Sequence, residues 1–222
     1  RDWSSDVCSS DLNISTILFD LDGTLVDTAP DLAYALNALL LENGMSEKPY
    51  DQIKPLVSLG GKALIKFGFD CDESHPDFID RHQRILSIYT DNIARNSKTF
   101  TGIDELIAFV KDQKMFWGIV TNKPENLTHL LLERLRLKPD VVVCGDTLEH
   151  NKPHPAPLLY ACSQLATTPQ QCLFVGDDKN DILAGQSANI KTVAVSYGYG
   201  KIEPDWNYDY LIDKPSDLLK II

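Results

Sequence analysis

Two aspartates, Asp20 and Asp22, follow an apolar run and precede Gly23. A carboxylate can act as a nucleophile on phosphorus, and a second one two residues later can give a proton to a leaving oxygen and then take one from water. The glycine lets the chain turn tightly, so that backbone N–H groups can face an anion. The spacing indicates chemistry on a phosphoryl group at Asp20 and Asp22, with Gly23 and Thr24 as phosphate ligands. The alternative is an ordinary aspartate-rich turn.

A second polar pair, Thr121 and Asn122, ends another apolar run. The Thr121 hydroxyl can donate a hydrogen bond to a phosphoryl oxygen, and the Asn122 amide can orient a phosphate or a leaving group. The alternative is that the pair caps the helix that follows, as Thr and Asn often do. Together with the aspartate pair, the segment favours phosphate binding.

Lys152 lies in a loop that two prolines, Pro153 and Pro155, make stiff. Such a loop can hold the ammonium group against phosphoryl oxygens and against a nucleophilic carboxylate. The alternative is an ordinary surface lysine. We expect Lys152 to bind phosphate and to take part in catalysis.

Three further aspartates, Asp177, Asp178 and Asp181, follow a later apolar run. Asp177 can reach a cation bound by Asp20, and Asp181 can hold that cation through water or orient Lys152. Carboxylates gathered at one point repel one another unless a divalent cation neutralises them, and oxygen ligands beside a phosphate favour Mg²⁺. Asp178 is either a further ligand near this cation or the N-cap of the next helix.

Apolar, β-branched runs supply the strands that must carry these side chains. They predict strands over 14–19, 116–120, 141–144, 172–175, 192–195 and 210–212. Helical patterns lie between most of them, over 103–111, 125–137, 156–165 and 178–188. This alternation predicts an α/β fold with a parallel sheet covered on both faces, in which functional side chains meet at the carboxyl ends of the strands.

About 90 residues separate the first strand from the second, far more than a crossover connection needs. The first helix of this insert begins with a capping-box-like pair, Thr28 and Asp31. A second helix follows Gly60 and Gly61, and a third covers 76–94. We therefore expect an all-helical cap over 28–97, inserted into a core formed by 13–27 and 98–222.

Composition narrows the class of protein. The 222 residues include 21 basic and 32 acidic side chains, which gives a formal charge of −11. This acidic balance argues against the broad basic surface that binding to nucleic acid needs. No apolar run approaches the ~18 residues of a membrane span. Five cysteines without C-x-x-C spacing suggest neither a zinc site nor a disulfide framework. We expect a cytoplasmic protein with no nucleic-acid or membrane partner.

The first residues, RDWSSDVCSSDL, show neither a helical nor an alternating pattern. A coding sequence written for residues 2–12 resembles a common sequencing-library adapter. We interpret 1–12 as a non-native segment and exclude it from fold reasoning. The alternative is a natural leader.

The four functional segments, in this order and at these strand ends, resemble the motifs of the haloacid dehalogenase-like phosphatase superfamily. The resemblance implies a Rossmann-like core, an inserted helical cap and an aspartyl-phosphate mechanism that requires Mg²⁺. It implies Asp20 as nucleophile and metal ligand, Asp22 as general acid and base and as a metal ligand through its backbone carbonyl, and Asp177 as metal ligand. Thr121 and Lys152 are implied as phosphate ligands.

Within this superfamily the chain is similar to phosphoglycolate phosphatases through FDLDGTLVDTAPDL, TNKP, KPHPAPL and VGDDKNDILAG. It differs by carrying Asp178 where serine is common, and a Ser-Leu-Gly-Gly run in the cap where Val-Gly-x-Gly is common. The cap run, with NSKTFTGI, WGIVTNKP and YGYG, is also similar to phosphatases of N-acetylmuramic acid 6-phosphate. We expect the loop that recognises substrate to comprise Ser58, Gly60, Gly61 and Lys62. The alternative is that the two glycines merely begin a helix.

These observations favour hydrolysis of a small phosphorylated metabolite, 2-phosphoglycolate first, by a monomer or a homodimer. N-Acetylmuramic acid 6-phosphate is the alternative substrate, and a sugar phosphomutase would use the same four segments. A regulatory module that binds a phosphorylated metabolite is the alternative outside enzymes. Asp20, Asp22, Lys152 and Asp177 are all present, which favours an enzyme because a binding module gains little from a nucleophile and an acid.

Overall fold

The computed structural model describes residues 13–222, so the adapter-like segment 1–12 lies outside the described residues. The strands are β1 (Thr16–Phe19), β2 (Val26–Asp27), β3 (Lys98–Thr99), β4 (Phe116–Val120), β5 (Val141–Val143), β6 (Cys172–Gly176), β7 (Lys191–Val195) and β8 (Tyr210–Ile212). The α-helices are α1 (Ala29–Glu42), α2 (Tyr50–Ile53), α3 (Gly60–Phe69), α4 (Phe78–Asp91), α5 (Ile103–Asp112), α6 (Glu125–Leu135), α7 (Ala156–Gln164) and α8 (Lys179–Ser187). Short 3-10 helices cover Lys54–Leu59, Pro169–Gln171, Pro204–Trp206 and Pro215–Lys220.

Six strands form one parallel sheet in the order β5-β4-β1-β6-β7-β8. Strand β1 lies inside the sheet, and all of its residues are buried, as expected for an uninterrupted apolar run. Its last residue, Phe19, pairs with Ile119 of β4 and with Val175 of β6. The chain segments that leave these three strands therefore emerge side by side at one edge of the sheet. The predicted α/β fold with a parallel sheet is confirmed.

The insert between β2 and β3 is helical, as predicted, and α1 packs against both α3 and α4. The two segments that connect the insert to the core lie side by side, because β2 and β3 pair antiparallel through Val26 and Thr99. Sequence patterns had not indicated this two-stranded ribbon, nor α2 and the 3-10 helix after it.

The expected capping box at the start of α1 is wrong. Thr28 makes no side-chain cap and has helical backbone angles, φ −95° and ψ −7°. The Asp31 carboxylate is buried and instead accepts hydrogen bonds from the backbone and side chains of Asn96 and Ser97, at 2.6–3.1 Å. Asp31 thus joins the segment that enters the cap to the segment that leaves it.

Within residues 13–222, no helix is both long and apolar enough to cross a membrane.

Candidate active site

Three buried carboxylates meet at the edge of the sheet where β1 and β6 end. Asp20 follows β1 directly, Asp177 follows β6 directly, and Asp181 lies in the first turn of α8. One oxygen of each lies within 4.8 Å of the others. All three are buried, so water offers their charges little compensation.

Lys152 supplies a positive charge to this cluster. Its Nζ atom lies 2.7 Å from Oδ1 of Asp20 and 2.7 Å from Oδ1 of Asp181. The loop that carries it is held by Asn122, whose side chain accepts from the Lys152 N–H at 3.0 Å and donates to the Lys152 carbonyl at 2.9 Å. The peptide bond between Lys152 and Pro153 is cis.

The cluster holds more negative charge than one lysine neutralises. Burial raises the pKa of Asp177 to about 7, and the nearby Asp20 adds to this rise. Burial also raises the pKa of Asp181 to about 8 against the opposing effect of Lys152, and it raises the pKa of Asp20. Burial disfavours the ammonium form of Lys152, but Asp181 and Asp20 outweigh it and raise the pKa of that lysine. An arrangement of this kind suits a hard divalent cation, which binds oxygen ligands and favours their ionised form.

The turn after Asp20 packs tightly on Asp177. Gly23 has φ +87°, and a Cβ atom built on it would lie 2.8 Å from Cγ of Asp177. The Asp177 carboxylate accepts hydrogen bonds from the Thr24 hydroxyl, the Tyr199 N–H and the Ser58 hydroxyl, at 3.2, 2.9 and 3.2 Å. Ser58 belongs to the cap, so this carboxylate is held from both parts of the molecule.

Asp22 stands apart from the carboxylate cluster. The Lys123 ammonium donates to both of its oxygens, at 3.0 and 3.2 Å, and the Thr28 hydroxyl donates to Oδ1. The pKa of Lys123 is raised because Asp22 and Tyr89 outweigh the cost of burying its charge. Asp22 is thus placed and oriented by neighbours other than those of Asp20.

A cavity of about 520 Å³ lies between the sheet edge and the insert. Its floor includes Asp20, Asp22, Thr121 and Lys152, and its cap wall includes Ser58, Gly60, Gly61, Lys62 and Tyr89. A substrate in this cavity would therefore touch both parts of the molecule.

A family model described as haloacid dehalogenase-like hydrolase matches residues 17–195. The chain belongs to the haloacid dehalogenase-like hydrolase family.

Similar proteins agree with this assignment. The chain is 36% identical over 218 residues to an N-acetylmuramic acid 6-phosphate phosphatase of Pseudomonas aeruginosa, covering 95% of this chain and 96% of that protein. It is 37% identical over 213 residues to a phosphoglycolate phosphatase of Xanthomonas campestris pv. campestris, covering 91% and 93%. A crystal structure titled as a predicted phosphoglycolate phosphatase from Haemophilus somnus superposes with a TM-score of 0.85 at 29% identity, covering 94% of this chain and 98% of that one. The family resemblance and the expectation of a phosphatase are confirmed.

The remaining predicted site residues, Asp178, Gly60, Gly61 and Lys62, all line the cavity. Asp178 is the N-cap of α8, with its side chain accepting from the Asn180 N–H, and it also lines the cavity. Gly60 has φ +82° and begins α3, whereas a Cβ atom on Gly61 would lie only 3.1 Å from Nε2 of His82, a tight contact. The glycines begin a helix, as the alternative interpretation predicted, and they also line the cavity, while their role in recognising substrate stays a prediction. Lys62 lines the cavity while its ammonium pairs with Glu73 on the surface at 3.1 Å.

Sequence reasoning missed Lys123, Tyr199 and Tyr89. Lys123 lies two residues after Thr121 in the segment that follows β4, and both side chains are buried while Asn122 between them is exposed. This spacing of two could have indicated that Lys123 lies on the same side of the chain as Thr121. Tyr199 lies on the loop after β7 and Tyr89 on cap helix α4, and no local sequence pattern places Tyr199 beside Asp177 or Tyr89 beside Lys123.

Proposed function

We propose that this family member hydrolyses a small phosphomonoester with Asp20 as the nucleophile. The observation that carries the proposal is the cluster of Asp20, Asp177 and Asp181 around Lys152 beneath a cap-covered cavity. A carboxylate held beside an ammonium group and a cation site can attack phosphorus while the developing charge is stabilised.

The reaction proceeds in two halves. An oxygen of Asp20 bonds to phosphorus and the ester oxygen leaves with a proton from Asp22. Water then hydrolyses the phosphorylated Asp20 while Asp22 takes the proton. Lys152 and Thr121, with the N–H groups of the Gly23-Thr24 turn, bind the phosphoryl oxygens, because phosphoryl transfer depends mainly on positioning and charge.

The residues present fit Mg²⁺. Asp20 and Asp177 would hold it through side-chain oxygens and Asp22 through its backbone carbonyl, with Asp181 nearby as a positioning group for Lys152. A bound divalent cation neutralises charge on the phosphoryl group and on the buried carboxylates. The raised pKa values of Asp177 and Asp181 support this fit, since buried carboxylates that lack a counter-charge are protonated more readily.

Two substrates lead the candidates. The first is 2-phosphoglycolate, supported by the Xanthomonas relative and by the motifs shared with phosphoglycolate phosphatases. The second is N-acetylmuramic acid 6-phosphate, supported by the Pseudomonas relative and by a cavity of about 520 Å³, which leaves much space around a two-carbon acid.

The deciding experiment ranks kcat/KM for both esters, and for glucose 6-phosphate, with and without Mg²⁺. A clear preference for one ester identifies the substrate, and a flat ranking indicates a phosphatase of broad specificity. Isomerisation of a sugar phosphate without release of inorganic phosphate would show a phosphomutase and refute hydrolysis. Binding without turnover would show a regulatory module.

We further propose a cytoplasmic protein that acts as a monomer or homodimer without a nucleic-acid or membrane partner. The four cysteines within residues 13–222 are free thiols, which supports a reducing compartment. Sedimentation of the purified protein tests its oligomeric state.

A further inference from the structure

Tyr89, on cap helix α4, places its ring against the Lys123 ammonium group of the core. The Nζ atom lies 4.6 Å from the ring centroid. Both side chains are buried, with relative exposures of 0% for Tyr89 and 9% for Lys123. The Tyr89 hydroxyl has no hydrogen-bond partner within residues 13–222. An ammonium group over an aromatic ring is attracted by its quadrupole, more strongly where water is excluded.

The same ammonium group fixes Asp22. Lys123 donates to both oxygens of the carboxylate, and such two-point contact restrains its rotation. The Thr28 hydroxyl also donates to Oδ1, so three hydrogen bonds from two neighbouring side chains fix the orientation of the Asp22 carboxylate. These contacts form a chain from the cap ring through Lys123 to Asp22.

We propose that Tyr89 is a positioning residue for the second half of the reaction: its ring holds Lys123 against Asp22 and so aims Asp22 at the attacking water. In that step the water oxygen bonds to phosphorus, and the bond from phosphorus to the Asp20 oxygen breaks with its electron pair returning to Asp20. The water proton passes to Asp22, and inorganic phosphate leaves. The inference rests on the proposed function, because it requires a phosphorylated Asp20.

A consequence is that hydrolysis of the phosphorylated enzyme requires the cap to be closed on the core, with α4 packed against Lys123. Lys123 receives its ring contact from α4, which belongs to the insert, while its ion pair is with the core. When α4 moves away, Lys123 keeps its charge but loses the group that confines it.

The test separates the two halves of the reaction by rapid mixing and acid quench with p-nitrophenyl phosphate. Its leaving group is a weak base that needs no proton, so phosphorylation of Asp20 does not depend on Asp22 as an acid. In Tyr89→Leu we expect decay of the phosphorylated enzyme to slow by about 3- to 30-fold, the range of a cation–π contact, and its formation to slow less than its decay. Tyr89→Phe keeps the ring and should restore the wild-type decay.

Phe67→Leu is the matched control. It removes another cap ring with a lysine over it, Lys48 at 5.5 Å from the centroid, at a position that does not line the cavity. Its decay rate should equal that of the wild type.

Equal slowing of formation and decay in Tyr89→Leu, slowed decay in Phe67→Leu, or no slowing at all would overturn the inference. If Tyr89→Leu does not fold, Lys123→Met removes the same link from the core side and must slow decay more than formation. If the wild-type enzyme forms no phosphorylated intermediate, the proposed function fails. If it does and the variants leave decay unchanged, only the role of Tyr89 fails.

Discussion

Replacing Gly23 with alanine tests how closely the first aspartate turn is fitted to Asp177. The φ of +87° at Gly23 is in a region that costs an L-residue about 1–2 kcal/mol. A Cβ there would also lie 2.8 Å from Cγ and 2.9 Å from Oδ1 of Asp177. Unstrained carbon contacts need about 3.5 Å or more, so the carboxylate must move by roughly 0.7 Å.

This displacement pulls Asp177 away from the groups that hold it. It would stretch the hydrogen bonds from Thr24 and Tyr199, at 3.2 and 2.9 Å, and move an oxygen proposed to bind the cation. Misplacement by about 1 Å in an active site can cost about 10²-fold in rate, and disturbed support of a metal ligand costs about 10- to 100-fold in affinity. We expect Gly23→Ala to lower kcat/KM about 100-fold and to raise the half-saturating Mg²⁺ concentration at least about tenfold.

Gly44→Ala provides the control for backbone strain. Gly44 has φ +69°, and a Cβ there would meet nothing within 4 Å. Urea unfolding should show that Gly44→Ala loses about 1–2 kcal/mol of stability and that Gly23→Ala loses more, because it adds the clash with Asp177 to the backbone strain. Phosphate release over a Mg²⁺ titration should show that only Gly23→Ala loses activity. Equal activity of the two variants would refute the packing argument.

Three further predictions concern the buried aspartates of the site, the contacts of Asp31 between the two cap connections, and the contacts that Asn122 makes with the Lys152 loop. The pKa values of about 7 for Asp177 and about 8 for Asp181 exceed the 3.8 of a free aspartate. The metal-free fold therefore binds more protons than the unfolded chain from about pH 4 to 8, so its stability should fall as pH rises through that window while stabilisation by Mg²⁺ grows. Melting curves at pH 5 and 8 with and without Mg²⁺ measure both, and a stabilisation by Mg²⁺ independent of pH would contradict this. Asp31→Asn should lower the free energy of unfolding by roughly 1–3 kcal/mol, as measured by urea unfolding. The reason is that the new amide NH2 group replaces an accepting oxygen and faces the hydrogen-bond donors of Asn96 or Ser97. Asn122→Ala should leave the fold intact but lower kcat/KM about tenfold, because two hydrogen bonds to the Lys152 backbone are lost. An unchanged kcat/KM would show that the Lys152 loop keeps its conformation without these hydrogen bonds.

The sheet could be predicted from the sequence because its central strands β4, β1, β6 and β7 are almost entirely buried and consist mostly of apolar residues. The expected strands 116–120 and 210–212 match β4 and β8 residue for residue. Asp20 and Asp177 could be placed with them, since each directly follows a strand of a parallel sheet whose ends meet at one edge.

The contacts across the cap could not be predicted in this way. Threonine is common at helix N-caps, but the Thr28 hydroxyl donates to Asp22 instead, because this tertiary partner outweighs the local preference. Strands β2 and β3 are two residues each and have no pattern of their own. The Ser58 contact with Asp177 joins segments far apart in the chain, so it depends on how the cap sits on the core.

The measurement that tests the central claim most directly is acid quench of the wild-type enzyme during turnover of a phosphomonoester with Mg²⁺, followed by mass spectrometry of its peptides. The account predicts one phosphoryl group on the peptide that contains Asp20, and none in Asp20→Asn, which should also release no phosphate. Turnover without a phosphorylated peptide, phosphate on another residue, or activity that persists in Asp20→Asn would contradict it.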